Sequence, residues 1–378
     1  DDFPRVIGHF NHWPMQVDPT APRGGAPWDE LVEPGALFDR IAPYIGEEGI
    51  HMMNHPWDDT QFGRDLGFLR AIGFDHRLPI PDEDDGTRNG MLQRSFGGRR
   101  NIDFQAIEVQ NGVHLIQAIK SRPLWFAFLS QGHLRTGVGN SDSHSLEIAL
   151  GYGRTFVDAD MSLDEFDEVQ FNRAIREGRA VAGNGVVIYM SVGQPDGERA
   201  GVGFAPHVAS AGDTVEIEVR AAPWVPVEEI RVVNSQGERV LVGIDELDHP
   251  EDPLGRDGVV RFRGSFPLED LIGAAGDDWF LVEAGLPFFA AADLDDDGIV
   301  DTTDNNGDGR IDEADVEEGE DAGPLTQPED PEDESDPRYI MTRILQGAWT
   351  YGFTNPILVD VDGGGWDAPG LPAEGGAR

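Results

Sequence analysis

The stretch Thr136-Gly137-Val138-Gly139-Asn140-Ser141-Asp142-Ser143-His144 indicates most directly how this chain folds. A strand-like run at 136–138 leads into an aspartate and a histidine that stand two residues apart. In parallel α/β folds, functional residues lie where strands end and loops begin. We therefore expect Asp142 and His144 to follow a strand of a parallel sheet, where both side chains can reach one metal pocket.

Residues 1–190 alternate short apolar runs with helical stretches, which is the pattern of a parallel α/β domain. Strands are predicted at 49–53, just before His55, and at 106–109. A long helix is predicted at 115–129, where apolar residues recur at helical spacing. The first domain is therefore assigned to residues 1–190.

The second half of the chain changes to short strands separated by turns rich in Gly, Asp and Pro. Half-buried strands are predicted at 215–219, 230–233, 259–263, 279–282 and 356–361. This spacing is typical of a β-sandwich, to which we assign residues 191–292 and 338–368. The predicted fold class is thus α/β plus all-β, with inserts between the last two predicted strands.

The composition is strongly acidic, with 71 acidic against 28 basic residues and a formal net charge of −43. Such a surface repels nucleic acid and anionic membranes, so both are excluded as main partners. The chain has no cysteine, which excludes disulfides and thiolate chemistry. No stretch reaches the ~18 apolar residues that a membrane span requires.

Residues 293–316 contain two overlapping twelve-residue loops that predict a calcium site. Calcium takes six to eight oxygen ligands, and glycine at position 6, here Gly298 and Gly309, permits the sharp turn of such a loop. Position 12 is aspartate in both loops and Asp304 is shared, which resembles thrombospondin type 3 or dockerin-like repeats. The predicted ligands are Asp293, Asp295, Asp297, Ile299, Asp301, Asp304, Asn306, Asp308, Arg310, Asp312 and Asp315, with Ile299 and Arg310 contributing backbone carbonyls.

A solvated acidic loop is the simpler interpretation of residues 293–316. Two in-phase loops with correctly placed glycines favour calcium instead, in a structural role. Because cytosolic calcium is too scarce for weak sites, we expect an extracytoplasmic location: periplasmic, secreted or cell-surface. Residues 317–337 are acidic and proline-rich without an apolar period, which predicts a linker.

Four residues of the first domain are candidate transition-metal ligands: His9, His55, Asp142 and His144. Sets of His, Asp and Glu hold Zn, Mn or Fe, whose bound water ionises near neutral pH. Each residue alone has an ordinary explanation, because a lone strand-end histidine is more often structural and Asp142 could cap a helix. The presence of all four residues in one domain favours a metal centre.

The motifs that contain these residues resemble those of the polymerase and histidinol phosphatase (PHP) metallohydrolases, in particular the carbaryl-hydrolase-like branch. The similar segments are Gly8-His9-Phe10-Asn11, Asn54-His55-Pro56, Ile107-Glu108-Val109-Gln110-Asn111, Gly139 to His144, Gly153-Arg154-Thr155-Phe156-Val157, 174–185 and Thr354-Asn355-Pro356-Ile357. The resemblance covers most of residues 1–190 and touches the last predicted strand.

The resemblance implies a distorted (β/α)7 barrel with two or three divalent transition metals, Zn, Mn or Fe. His9 and His55 would ligate one metal, and Asp142 and His144 would serve the other positions. A hydroxide held between the metals would attack a phosphorus or carbonyl centre. No catalytic residue beyond the metal ligands is implied.

One part of the family pattern is missing from the chain. The first motif, His-x-His, and a bridging acidic residue should both precede the Gly-His segment, which here begins at Gly8. We therefore expect an N-terminal truncation that leaves the barrel incomplete and this form weak or inactive.

The sequence thus predicts a metal-dependent hydrolase, phosphoesterase-like, with an ester or carbamate substrate left open. Its partner would be a small anionic or ester molecule, and the oligomeric state stays open. Arg135 and Arg154 flank the Asp-x-His segment and could bind an anionic substrate, although ion pairing is the commoner role. The alternative is a non-catalytic, secreted, calcium-binding adhesion or scaffold protein with a degenerate PHP domain.

Overall fold

The structure is a computed structural model that describes residues 8–25, 27, 32–56, 68–72, 74–81, 94–112, 115–143, 150–252, 255–273, 276–287 and 349–372. The predicted calcium repeat at 293–316 and the predicted linker at 317–337 lie outside these residues.

Four strands form the sheet that carries the predicted metal ligands. In spatial order they are β1 (His9–Trp13), β2 (Ile50–Asn54), β3 (Ala106–Asn111) and β4 (Thr136–Asn140). Strands β2, β3 and β4 run parallel, whereas β1 is antiparallel to β2. The start of β1 therefore lies beside the end of β2, with His9 opposite Asn54. The strands predicted at 49–53 and 106–109 are confirmed as β2 and β3.

Helices pack on both faces of this sheet, and the buried residues of the strands belong to two separate cores. The helices are α1 (Pro34–Ile45), α2 (Phe68–Ala71), α3 (Leu115–Ser130) and α4 (Glu168–Arg176), and α3 confirms the helix predicted at 115–129. Helix α1 starts with a proline in its first turn and buries Leu37, Phe38, Ile41 and Ile45, which recur at helical spacing. In the described ranges, no helix is long and apolar enough to cross a bilayer.

Two further sheets enclose a second core. The smaller sheet orders β13 (Val260–Pro267), β10 (Thr214–Ala221), β7 (Val186–Gly193) and β8 (Arg199–Gly201). The larger one contains β5 (Arg154–Val157), β6 (Ala180–Gly183), β9 (Gly203–Val208), β11 (Glu229–Asn234), β12 (Gly237–Val242), β14 (Asp278–Gly285), β15 (Tyr351–Thr354) and β16 (Ile357–Asp360). Strand β10 shows why they pack: Val215, Ile217 and Val219 are buried, and the intervening residues face outward. All five strands predicted for the second half are present.

The predicted boundary between residues 190 and 191 falls inside β7. Strands β5 and β6, which precede that boundary, pair with each other and extend the larger sheet through β15. The two predicted domains therefore share hydrogen-bonded strands. The change of sequence pattern between the two predicted domains could not reveal this, because β5 and β6 are short and β15, the partner of β6, is distant in sequence.

The predicted barrel is not seen, because the described strands around the site form an open sheet. At the free edge of β4 the side chain of Asn355 replaces a neighbouring strand. Its Oδ1 accepts a hydrogen bond from Gly137 N–H at 2.8 Å, and its Nδ2 donates to Gly137 O at 3.0 Å and to Ala180 O at 2.9 Å. One buried amide thus fixes β4 to β6, and with it the segment that leads to Asp142.

A buried histidine lies beneath α1. The ring of His51 stacks on Phe38 with centroids 4.5 Å apart, and its Nδ1 lies 2.9 Å from Nδ1 of His12. Burial, with smaller contributions from the nearby His12, Arg99 and Arg176, lowers the pKa of His51 to about 3. The folded protein therefore keeps this imidazole neutral well below its usual pKa of 6.5.

This burial predicts an acid-sensitive stability. The unfolded chain protonates His51 below pH 6.5, whereas the folded chain resists protonation down to about pH 3, so stability present above pH 6.5 is lost as the pH falls. Between pH 7.5 and pH 4.5, denaturant unfolding should show a loss of stability in wild type that exceeds the loss in His51→Phe by about 2.7 kcal/mol. The exposed His249, replaced in the same way, is the control. Parallel pH dependences for wild type and His51→Phe would contradict the prediction.

Candidate metal centre

A cavity of about 350 Å³ opens at the carboxyl edge of the parallel strands. We call it the metal cavity, and its lining residues are Asn11, Asn54, Glu108, Asn111, Gly139, Asn140, Ser141, Asp142, Gly153, Arg154 and Thr155. They come from β1, from the later parts of β2, β3 and β4, from the residues that follow β4, and from the beginning of β5 with the glycine before it. The location agrees with the expectation for functional residues in α/β folds.

Glu108 is the most unusual residue of the metal cavity. Its carboxylate is buried and accepts hydrogen bonds from the backbone N–H of His55 at 2.6 Å, from Asn140 at 2.9 Å and from Asn111 at 3.1 Å. The pKa of Glu108 is raised to about 7, because burial and, to a smaller extent, the charge of Asp142 outweigh the three hydrogen bonds that lower it. No arginine or lysine among the described residues neutralises Glu108. A buried, uncompensated carboxylate of this kind favours a bound cation.

The two predicted histidine ligands contact each other, although neither is among the residues that line the metal cavity. His55 reaches Glu108 through its backbone N–H. Nδ1 of His9 lies 2.8 Å from Nε2 of His55, with the rings edge to face and their centroids 4.7 Å apart. Two imidazole nitrogens that bind one ion at about 2.0–2.1 Å are themselves about 3 Å apart. The antiparallel pairing of β1 with β2 causes this meeting, because it places His9 opposite Asn54, the neighbour of His55.

Two predicted ligands have strained backbones. His55 has φ of 26° and Asp142 has φ of 47°, and only Asp160 joins them among the described non-glycine residues with positive φ. A side chain makes this conformation unfavourable, and such strain concentrates at functional sites. His55 directly follows β2, and Asp142 follows β4 with one residue between them, so both strained positions lie just beyond the carboxyl ends of strands.

The residues suit a transition metal in donor chemistry. Imidazole and carboxylate are the ligands that Zn, Mn and Fe share, and Oδ1 of Asn54 is a buried acceptor without a hydrogen-bond partner. The shell is nevertheless incomplete among the described residues. His9, His55, Glu108 and Asp142 do not supply three ligand atoms within 4.8 Å of one another. Further ligands would have to complete it.

Two other residues singled out in the sequence have different outcomes. His144 lies outside the described residues. Arg135 is not at the metal cavity: its guanidinium donates to the backbone carbonyls of Leu134 and Ile102, and it packs over the rings of Phe104 and Phe128. Arg135 is therefore a structural residue.

A cluster of three carboxylates lies elsewhere, where β14 begins and β16 ends. Within the described parts of the chain, Asp277, Asp360 and Asp362 are the one set of three His, Asp or Glu ligand atoms within 4.8 Å of one another. Asp277 accepts from the N–H groups of Val361 and Asp367. Asp360 accepts from two glycine N–H groups. These hydrogen bonds hold the loop that follows β16, which is a structural role for the cluster.

Sequence reasoning missed Glu108 and Asn54 as members of the site. The sequence did contain a signal for Glu108. Glutamate is almost never fully buried unless it is paired, yet Glu108 stands in the middle of the apolar strand 106–109. Asn54 gave no comparable signal, since its position beside His55 only becomes meaningful once β1 and β2 are paired.

Comparison with known proteins adds no relative: no family model, curated protein or solved structure matches this chain. The resemblance to the PHP metallohydrolases therefore stays a prediction from the motifs.

Proposed function

We propose that this protein is a metal-dependent hydrolase of small ester substrates. His9, His55, Glu108 and Asp142 would hold the ions together with His144 and further ligands. The observation that carries the proposal is the buried carboxylate of Glu108, which shares one cavity with Asp142, accepts a hydrogen bond from the backbone N–H of His55 and has no cationic partner among the described residues.

Each of these residues would have a defined task. Bound ions supply Lewis acidity and activate water at neutral pH. The side-chain amides of Asn140 and Asn111 and the backbone N–H of His55 orient the Glu108 carboxylate by three hydrogen bonds. In the overall reaction, water adds to the phosphorus or carbonyl carbon, the ester bond to the alcohol oxygen breaks, and the alcohol leaves with a proton.

Metal-dependent turnover tests the proposal. The protein expressed from its full natural reading frame is stripped with a chelator, reloaded with Zn, Mn or Fe, and assayed on p-nitrophenyl phosphate and p-nitrophenyl acetate. We expect hydrolysis of at least one ester that disappears on stripping, returns on reloading and is lost in His55→Ala. The exposed His249→Ala is the matched control. Absence of metal-dependent hydrolysis, or full activity in His55→Ala, would refute the proposal.

We also propose that residues 293–316 bind calcium in a structural role, on the sequence pattern alone. Asp304 belongs to both loops, so Asp304→Asn should weaken both sites. Isothermal titration should show calcium binding in wild type, and a concentration of 100 times the Kd should stabilise the fold by about 2.7 kcal/mol. The variant Asp362→Asn tests in the same titration whether calcium binds instead at the separate cluster of Asp277, Asp360 and Asp362. Wild-type binding that Asp304→Asn leaves intact would contradict the assignment.

A further inference from the structure

Asn54 is the last residue of β2 and lines the metal cavity. Side chains alternate between the two faces of a strand, so Asn54 shares its face with Ile50 and Met52. These two residues pack together in one core, which we call the small core, whereas Met53 packs in a different core. The side chain of Asn54 therefore lies on the small-core face of the sheet, at the carboxyl end of β2.

Two candidate ligands lie on this same face. On β1, His9 shares its face with Trp13, which packs against the small core. On β3, Glu108 shares its face with Ala106, which belongs to the small core. His9, Asn54 and Glu108 therefore project from one side of the sheet.

The strand register also sets these three residues in one row. His9 pairs with Asn54 across β1 and β2. Met53 pairs with Ile107 across β2 and β3, so the next position brings Asn54 beside Glu108. Since neighbouring strands lie about 4.8 Å apart, Asn54 stands between an imidazole and a carboxylate that can each bind a cation.

The side-chain oxygen of Asn54 is not used within the described protein. Its Oδ1 is buried and has no hydrogen-bond partner among the described residues. By contrast, the amides of Asn140 and Asn111 in the same cavity both donate to Glu108. A buried acceptor without a partner is unfavourable, and a bound cation would remove that cost.

We propose that Oδ1 of Asn54 is a ligand of the cation that Glu108 holds, and that this oxygen favours manganese more than zinc. Carbonyl oxygens suit manganese, whereas imidazoles suit zinc. The histidines and carboxylates of the site leave its shell incomplete, and a neutral amide oxygen adds a ligand without adding to the repulsion between Glu108 and Asp142. This inference rests on the proposed function, since it assigns a ligand and a metal preference to the same site.

Calorimetric titration with manganese and zinc chloride tests the inference. Wild type, Asn54→Leu and Asn54→Asp are expressed from the full natural reading frame and stripped with a chelator. In Asn54→Leu we expect the Kd for manganese to rise at least about tenfold, and the Kd for zinc to rise less. Asn54→Asp keeps an oxygen at this position and should bind manganese at least as tightly as wild type. The exposed Gln236→Leu, in the turn between β11 and β12, is the control and should match wild type.

Denaturant unfolding of the metal-free protein separates a ligand from a structural residue. Asn54→Leu loses no hydrogen bond of its side chain to the described residues, so its unfolding midpoint should equal or exceed that of wild type. Weaker metal binding at an unchanged midpoint supports the ligand even if no ester is hydrolysed, so failure of the proposed function is recognised separately. Unchanged manganese affinity in Asn54→Leu, or a loss that accompanies a lowered midpoint, would overturn the inference. Equal losses for the two metals would contradict the preference for manganese.

Discussion

Replacing Glu108 with Gln should lower both metal affinity and metal-dependent hydrolysis at least about 100-fold, because removal even of groups that only support metal ligands costs 10–100-fold. Glutamine keeps the shape of the side chain but removes the charge that would hold a cation. The metal-free protein should change little in stability. Burial raises the pKa of Glu108 to about 7, so at pH 8 its charged form is costly and glutamine removes that cost.

Metal titration and denaturant unfolding of the metal-free protein measure these two effects separately. The exposed Glu198→Gln is the matched control and should leave both unchanged. A Glu108→Gln protein that binds metal as tightly as wild type would remove Glu108 from the site. A variant that loses metal only because the metal-free fold has collapsed would make Glu108 a structural residue.

The second large effect concerns stability. Arg122 on α3 donates to both carboxylate oxygens of Glu283 on β14, at 2.7 Å each, and also pairs with Glu238. Glu283 is fully buried and accepts from Tyr351 Oη at 2.7 Å. Burial alone would lower the pKa of Arg122, but the carboxylates of Glu283 and Glu238 raise it above its usual range. These ion pairs join helix α3, which packs on the sheet of the predicted metal ligands, to the larger sheet.

Arg122→Met should therefore destabilise the protein by about 3–5 kcal/mol, because the buried carboxylate of Glu283 then keeps only the longer ion pair with Arg231, at 3.3 Å. Denaturant unfolding measures the loss. The exposed pair Arg173–Glu48 supplies the control, since Arg173→Met should cost no more than about 1 kcal/mol. The double variant Arg122→Met, Glu283→Gln should recover part of the stability. A loss below 1 kcal/mol in Arg122→Met would contradict the account.

Local elements could be predicted from the sequence because their signals are local. The apolar runs at 50–54 and 106–111 and the alternation at 214–221 specify strands wherever they pack. The domain boundary was less accessible, because β6 pairs with β15, which is far away in sequence. The distorted barrel, incomplete at its N-terminus, was inferred from resemblance, and the side chain of Asn355, which occupies the edge of β4, could not be anticipated from any pattern.

The candidate site was predictable in its ligand types but not in its assembly. Asp142 and His55 follow strands as expected, and His9 reaches His55 only because β1 runs antiparallel to β2. Glu108 was missed because it stands inside a strand, whereas the expected ligands follow strand ends. Its role becomes visible from burial and from the three N–H groups that surround its carboxylate.

Anomalous scattering at the zinc or manganese edge tests the central claim most directly. Crystals of the metal-loaded protein should show an anomalous peak in the metal cavity, within bonding distance of the Glu108 carboxylate and of at least one imidazole of His9 or His55. An empty metal cavity at saturating metal, or a peak confined to Asp277, Asp360 and Asp362, would contradict the claim.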